Sequence, residues 1–366
     1  MTSSVFNANK TIEDYQNESL LMGSDPGLFD TIHRRHPKIW SLYKEMKSLD
    51  WSEDEFDYSQ CNMDFKSCPK SVADMMIRTL MWQWEADSVA SRSIISVVAP
   101  FISSSELWAA WQRVSDNEVI HAATYSEIVR MSFDDPKQVL QEILQLKETL
   151  FRLNAVTSVF DEVFKVSHEY ALGLRENNQD TYNYAFLIAA TMLMLERIQF
   201  MASFAVTFTI CASGVFQPIG KAVQKIAQDE LEVHAELDKA IITHEMTTDR
   251  GKKARELMDA RIHQIFENIV ESEFAWVDYL FSEGRTLVGA NSDLLKQWVL
   301  FNAKDVAKFL NLKTNYKFPK HNPMPLLENW ININKQQAAP QEQDIAAYKV
   351  GTTVSDDQGV KFDFDF

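Results

Sequence analysis

Tyr184–Phe216, YAFLIAATMLMLERIQFMASFAVTFTICASGVF, is the most apolar stretch of the chain, and its only charges, Glu196 and Arg197, fall near its middle. Those two charges interrupt the run of about 20 apolar residues that a membrane span requires. At a bilayer centre each would cost about 2.5–3.5 kcal/mol. A helix that is apolar on every side and carries one internal acid belongs instead in the core of a large helical protein. The reading of Glu196 therefore decides the fold, and the question becomes what could justify an acid in such a place.

The flanking sequence is also helical. Upstream, apolar residues recur at helical spacing from Ser71 to about Phe101, where Pro100 supplies a stop. SSSELW, Ser103 to Trp108, offers serine caps for a helix running through Met131. After Asp134–Pro136 a further long helical pattern ends around Gly173, and the polar stretch RENNQDTYN follows it. Downstream, QPIG (Gln217 to Gly220) breaks the apolar run, and helices are expected over about 221–246, 251–281 and 291–310. With 46% hydrophobic residues and only ten Gly and ten Pro, the chain has a large core and few turn formers, which argues against an all-β fold. The expected organisation is an N-terminal arm with short helices over 1–70, an all-α domain over 71–330, and a polar, mobile tail over 331–366.

The other totals narrow the function. A formal charge of −16 disfavours a nucleic-acid partner, because phosphate contacts need clustered Lys and Arg. Cys61, Cys68 and Cys211 are too few and too scattered for a disulfide framework or a zinc site. The opening residues MTSSVFNANK lack an apolar export segment, so a reducing cytoplasm is expected.

Glu196 does not stand alone. Glu118 and His121 form E-x-x-H on the helix that begins near Ser104, and residues three apart share a helix face. Asp87 sits among apolar neighbours in MWQWEADSVASRS, and QDELEVH carries Glu230 and His234. Four helices thus each bring a carboxylate, two of them with a histidine beside it. Buried carboxylates are costly unless neutralised, and this set with two imidazoles would balance two metal cations inside a helical bundle. Mixed oxygen and nitrogen donors suit iron or manganese. Tyr125 lies one turn beyond His121, where a phenol can act as a one-electron donor. Phe200, Phe204 and Ile226, on the inward faces of neighbouring helices, would keep its surroundings dry.

At this point the chain resembles the small subunit of class I ribonucleotide reductases, from about Trp51 to the C-terminus. The resemblance rests on ADSVASRS with Asp87, NEVIHAATY with Glu118, His121 and Tyr125, LERIQFMASF with Glu196, and QDE with Asp229 and Glu230. WVDYLFSEG, HNPMP with the following NW, and APQE followed by Tyr348 extend it. It implies a ferritin-like helical bundle in which Asp87, Glu118 and His121 ligate one metal and Glu196, Glu230 and His234 the other, with Glu118 bridging. It also implies a di-iron centre that reacts with molecular oxygen and oxidises Tyr125 to a radical; dimanganese and mixed manganese–iron centres use the same donors. Trp51, Asp229 and the tail Tyr348 would carry the oxidising equivalent towards a large catalytic subunit that reduces ribonucleotides. The acidic, aromatic end, Phe362 to Phe366, would dock on that subunit, and the small subunit would be a homodimer.

The chain departs from the family pattern at the second histidine. Glu230 and His234 are four apart rather than three, and Gln228 replaces a usual arginine. At about 100° per residue both spacings keep a shared face, and a one-residue π-bulge between the ligands would restore the usual geometry. The alternatives are another ferritin-like dimetal oxidase acting on a small molecule or lipid, which would need no exported radical, and an interaction protein that has lost its metals.

Overall fold

The computed structural model describes residues 10–16, 19–24 and 28–331, and among these the chain is helical with only two isolated β-bridges, Leu21 with Ile102 and Leu287 with Ala290. The N-terminal arm contributes α1 (Ile12–Gln16), α2 (Pro37–Ser48) and α3 (Cys61–Ser67). The core is built on α4 (Lys70–Val98) and α5 (Ser105–Ser132), which pack along each other. It is completed by two interrupted rods. The first is α8 (Gln179–Met194), a π-turn over Leu195–Gln199, and α9 (Met201–Cys211); the second is α10 (Gln217–Gln228), a π-turn over Asp229–His234, and α11 (Ala235–Glu245). Outside them lie α6 (Pro136–Ile143), α7 (Lys147–Ala171), α12 (Asp249–Leu257), α13 (Asp259–Leu280) and α14 (Ser292–Phe309), with the short α15 (Glu328–Ile331) last.

Local chemistry sets several of these boundaries. Ser104 caps α5, its side chain accepting from the Leu107 amide at 3.1 Å, and Asn178, Thr248 and Asn291 cap α8, α12 and α14 in the same way. Pro100 ends the first long helix through a short 3-10 turn over Ala99–Phe101. Three expectations needed adjustment. QPIG opens α10 rather than preceding it, because Pro218 fits the first helical turn, where an amide would have no partner anyway. Phe216, in the left-handed region at φ 56°, turns the chain into that helix, and its amide is held by Asp64 at 2.8 Å. The pattern between Asp134 and Gly173 is two helices, α6 and α7, and the one over 251–281 is also two, α12 and α13.

The apolar rod Gln179–Cys211 is long and apolar enough to cross a membrane, yet its most apolar window is 94% buried inside the fold, as a core helix would be. A fully buried ion pair ties the outer helices to it. Arg152 on α7 donates to Glu273 on α13, to Ser203 on α9 and to the carbonyl of Gln199 at the end of the π-turn. Its guanidinium carbon lies 3.4 Å from the centroid of the Trp82 ring and 4.9 Å from that of Trp276. The aromatic faces and the carboxylate compensate a cation that would otherwise be expensive to bury.

Candidate metal centre

Asp87 on α4, Glu118 and His121 on α5, Glu196 in the first π-turn and Glu230 and His234 in the second are all at most 1% exposed. They converge as two groups: Asp87, Glu118 and His121, and Glu118, Glu196, Glu230 and His234, each with donor atoms within 4.8 Å of one another. Glu118 is common to both, its Oε2 3.5 Å from His121 Nδ1 and its Oε1 3.5 Å from His234 Nδ1. Glu230 also lies between the histidines, with Oε1 3.1 Å from His121 Nδ1 and Oε2 3.0 Å from His234 Nδ1.

A π-turn of the kind that would restore the usual geometry is present between Glu230 and His234. Its wider turn accommodates the extra residue, so both side chains reach the same cluster, while Glu232 leaves it and takes a hydrogen bond from Gln228 at 3.4 Å. The matching π-turn at Glu196 was not legible in the sequence.

The donor set fits metal cations. Both oxygens of Asp87, Glu118 and Glu196, and one of Glu230, are buried without a hydrogen-bond partner, as is His121 Nδ1. So many orphaned acceptors in one dry place are unfavourable for a protein alone and suitable for cations. Without metal, burial and the crowding of carboxylates shift where protons are held. Burial, then the neighbouring Glu118, pushes Asp87 well above the usual carboxylate range. Burial and the adjacent Glu230 do the same to Glu196. Glu230 stays well below that range, burial being outweighed by His234, Glu196 and His121. For His121, burial is outweighed by its carboxylate partners, Asp229, Glu118 and Glu230, which hold it well above the usual imidazole value. For His234, burial is outweighed by Glu230 and Glu118, and it reaches about 10.

These directions make metal uptake a proton-releasing step. At pH 7 His234 carries a proton on the nitrogen facing the carboxylates and must lose it to coordinate, so protons compete with metal throughout the neutral range. Calorimetric titration of the metal-free chain in two buffers of different ionisation enthalpy should show release of at least one proton per chain, with tighter binding at pH 8 than at pH 6. Proton-neutral, pH-independent uptake would contradict this assignment of protonation states.

Around the cluster, Trp51 Nε1 donates to Asp229 Oδ2 at 2.8 Å, and the same oxygen lies 3.1 Å from His121 Nε2. The Trp51 and His121 rings are stacked with centroids 5.9 Å apart. Tyr125 is fully buried, its hydroxyl without a partner, and burial followed by the charges of Asp87, Glu230 and Glu118 pushes its phenol well above its ordinary value. Phe200, Phe204 and Ile226 are fully buried, the two phenyl rings stacked at 5.7 Å. Tyr348 and the segment Phe362–Phe366 lie outside the described residues. Among the remaining histidines, His36 packs edge-on against His244, His33 pairs with Asp30, and His263 accepts from the Lys313 amide.

Two residues at the centre were not anticipated. Asn117, 3% exposed, places its amide nitrogen 3.3 Å from His234 Nε2. Asp238 is fully buried with neither oxygen partnered, and its charge bears on Glu196. Its spacing of four from His234 was the available sequence signal for Asp238. For Asn117 there was none beyond its place next to Glu118.

Comparison with known proteins points to a single family. The "Ribonucleotide reductase, small chain" family model matches residues 29–323. The ribonucleoside-diphosphate reductase subunit beta of Haemophilus influenzae is 25% identical, covering 96% of each chain. Subunit beta of the Escherichia coli O157:H7 reductase 1 is 24% identical, over 94% of each. Among solved structures, the ribonucleotide reductase R2 subunit from Clostridium botulinum has the same fold, with a TM-score of 0.75 at 17% identity over 90% of this chain and 98% of that one. The dimanganese(II)-NrdF of Streptococcus sanguinis matches with a TM-score of 0.62 at 13% identity, over 83% of this chain and 99% of that one. With a family match over most of its length and a dimetal donor set in its helical core, the chain belongs to the ribonucleotide reductase small chain family.

Proposed function

We propose that this chain is the radical-generating small subunit of a ribonucleoside-diphosphate reductase, in which Asp87, Glu118 and His121 hold one metal ion and Glu118, Glu196, Glu230 and His234 the other. The observation that carries the reading is a carboxylate, Glu118, common to two buried donor groups on the helix that also bears a buried, unpartnered phenol, Tyr125. We assign iron to the centre, with manganese compatible with the same donors. Two such ions, when bound, supply the reduction of molecular oxygen and with it an oxidant for one electron of Tyr125. The chain's own part is to hold Tyr125 where it gives up an electron and its hydroxyl proton, and to keep water away behind Phe200, Phe204 and Ile226. Trp51, Asp229 and His121 form a hydrogen-bonded and stacked line from the cluster through the arm, suited to moving an electron with its proton.

In this reading the polar tail from residue 331 docks on the large catalytic subunit, Tyr348 carries the next transfer, and the acidic, aromatic residues Phe362–Phe366 supply the contact. The small chain works as a dimer, in the cytoplasm. A chain ending at Pro340 should take up the same metal and show the same oxygen-dependent radical as the full chain, while reductase activity with the large subunit falls below detection. A dimetal oxidase acting by itself on a small molecule would keep turning over after that truncation, and such an outcome would overturn the radical-export reading.

A further inference from the structure

His234 coordinates, on the proposed reading, through Nδ1. That nitrogen faces the donor cluster, 3.0 Å from Glu230 Oε2 and 3.5 Å from Glu118 Oε1. An imidazole that binds metal through Nδ1 must carry its remaining proton on Nε2. Something has to receive that proton, because a buried N–H left without an acceptor costs the ring its orientation as well as its energy.

The group opposite Nε2 is the side-chain amide of Asn117, with Nδ2 at 3.3 Å. Its oxygen, Oδ1, is buried and has no partner. Two donors facing each other beside an orphaned acceptor is an unfavourable arrangement with a simple resolution. Turning the amide through 180° places Oδ1 against Nε2–H, pairing the imidazole proton, and moves Nδ2 to the position Oδ1 held. Asn117 immediately precedes Glu118, so one turn of α5 supplies both the shared carboxylate and the acceptor for the outer nitrogen of His234.

We propose that Asn117 is the positioning residue for His234: its amide oxygen accepts the Nε2 proton and so fixes the tautomer and ring plane through which the second donor group binds metal. The two histidines are thereby held by different chemistries. His121 has its outer nitrogen against a carboxylate, Asp229 Oδ2 at 3.1 Å, whereas His234 has a neutral amide. A carboxylate partner raises the donor strength of a coordinated imidazole, whereas an amide orients the ring with less of that effect. The residue at position 117 therefore sets the affinity of the second donor group separately from the first.

The inference rests on the dimetal reading, and the test separates the two. Metal-free full-length chain is titrated with Mn(II) and free ion is followed by paramagnetic resonance, for wild type, Asn117→Ala and Asn117→Asp. Wild type should bind two ions. Asn117→Ala should weaken one step by about tenfold to a hundredfold and leave the other within about twofold. Asn117→Asp, which restores an acceptor and adds charge, should bring the weakened step back to the wild-type affinity or beyond it. A merely structural role would lower thermal stability and weaken both steps together, with no rescue by Asp; that result, or unchanged affinities in Asn117→Ala, overturns the proposal. Fewer than two ions bound by wild type overturns the dimetal reading and this inference with it. If neither variant folds, wild-type chain labelled with 15N-histidine and loaded with Zn(II) decides the matter. The His234 proton should reside on Nε2, and a proton on Nδ1 overturns the assignment.

Discussion

Tyr125→Phe is expected to bind both metals as wild type does, to show no stable phenoxyl signal after exposure to oxygen, and to lose reductase activity by more than about a thousandfold, since groups acting in series are lost as a unit. The substitution removes a single atom, Oη, that is fully buried and has no hydrogen-bond partner. No bond is broken and the ring volume is kept, so thermal stability should change by less than about 1 kcal/mol. Tyr125 is not among the grouped donors, so ion binding has no reason to change. The one property that disappears is the capacity to surrender an electron and a proton beside the cluster. Paramagnetic resonance on iron-loaded, oxygen-treated protein, with metal analysis alongside, checks all three expectations. A radical signal of undiminished intensity in the variant would remove Tyr125 from its assigned role.

Glu118→Gln should have the larger effect on metal binding. Asp87 belongs to one donor group and Glu196 to the other, so Asp87→Asn or Glu196→Gln should weaken one ion and leave the second largely in place. Glu118 belongs to both, with one oxygen towards each histidine. Replacing it with an amide of the same shape removes a shared anion from two cation sites at once, and both affinities should fall by more than about a hundredfold, beyond the loss typical of residues that only orient a ligand. The variant keeps side-chain volume, so circular dichroism should remain that of the wild type. Metal analysis under conditions that saturate the wild type should then find less than one ion per chain. If Glu118→Gln retained one tightly bound ion while Asp87→Asn and Glu196→Gln lost both, the sharing of Glu118 would be wrong.

Much of this centre is legible in the sequence alone. A lone acid in the apolar stretch Tyr184–Phe216 called for a charge to neutralise it, and the spacing of Glu118, His121 and Tyr125 put them on one face of one helix. The irregular Glu230–His234 spacing was compatible with a π-turn that would restore the usual geometry, and the fold contains one over Asp229–His234. Each of these follows from chemistry or period within a single helix, and a sequence encodes that directly.

Tertiary packing decided the rest. The π-turn at Leu195–Gln199 left no trace because that rod is apolar all round, and a slip in helical phase can be read only where a polar face interrupts an apolar one. The separation of α6 from α7 lacks a glycine or proline to announce it, and the helical pattern of Gln141–Leu150 continues across the break. That Glu118 faces both histidines, and that Asn117 meets His234 from 117 residues away in sequence, are facts about which helix faces touch and at what distance. Periodicity says which residues share a face; only the packing of four rods against one another says which faces meet.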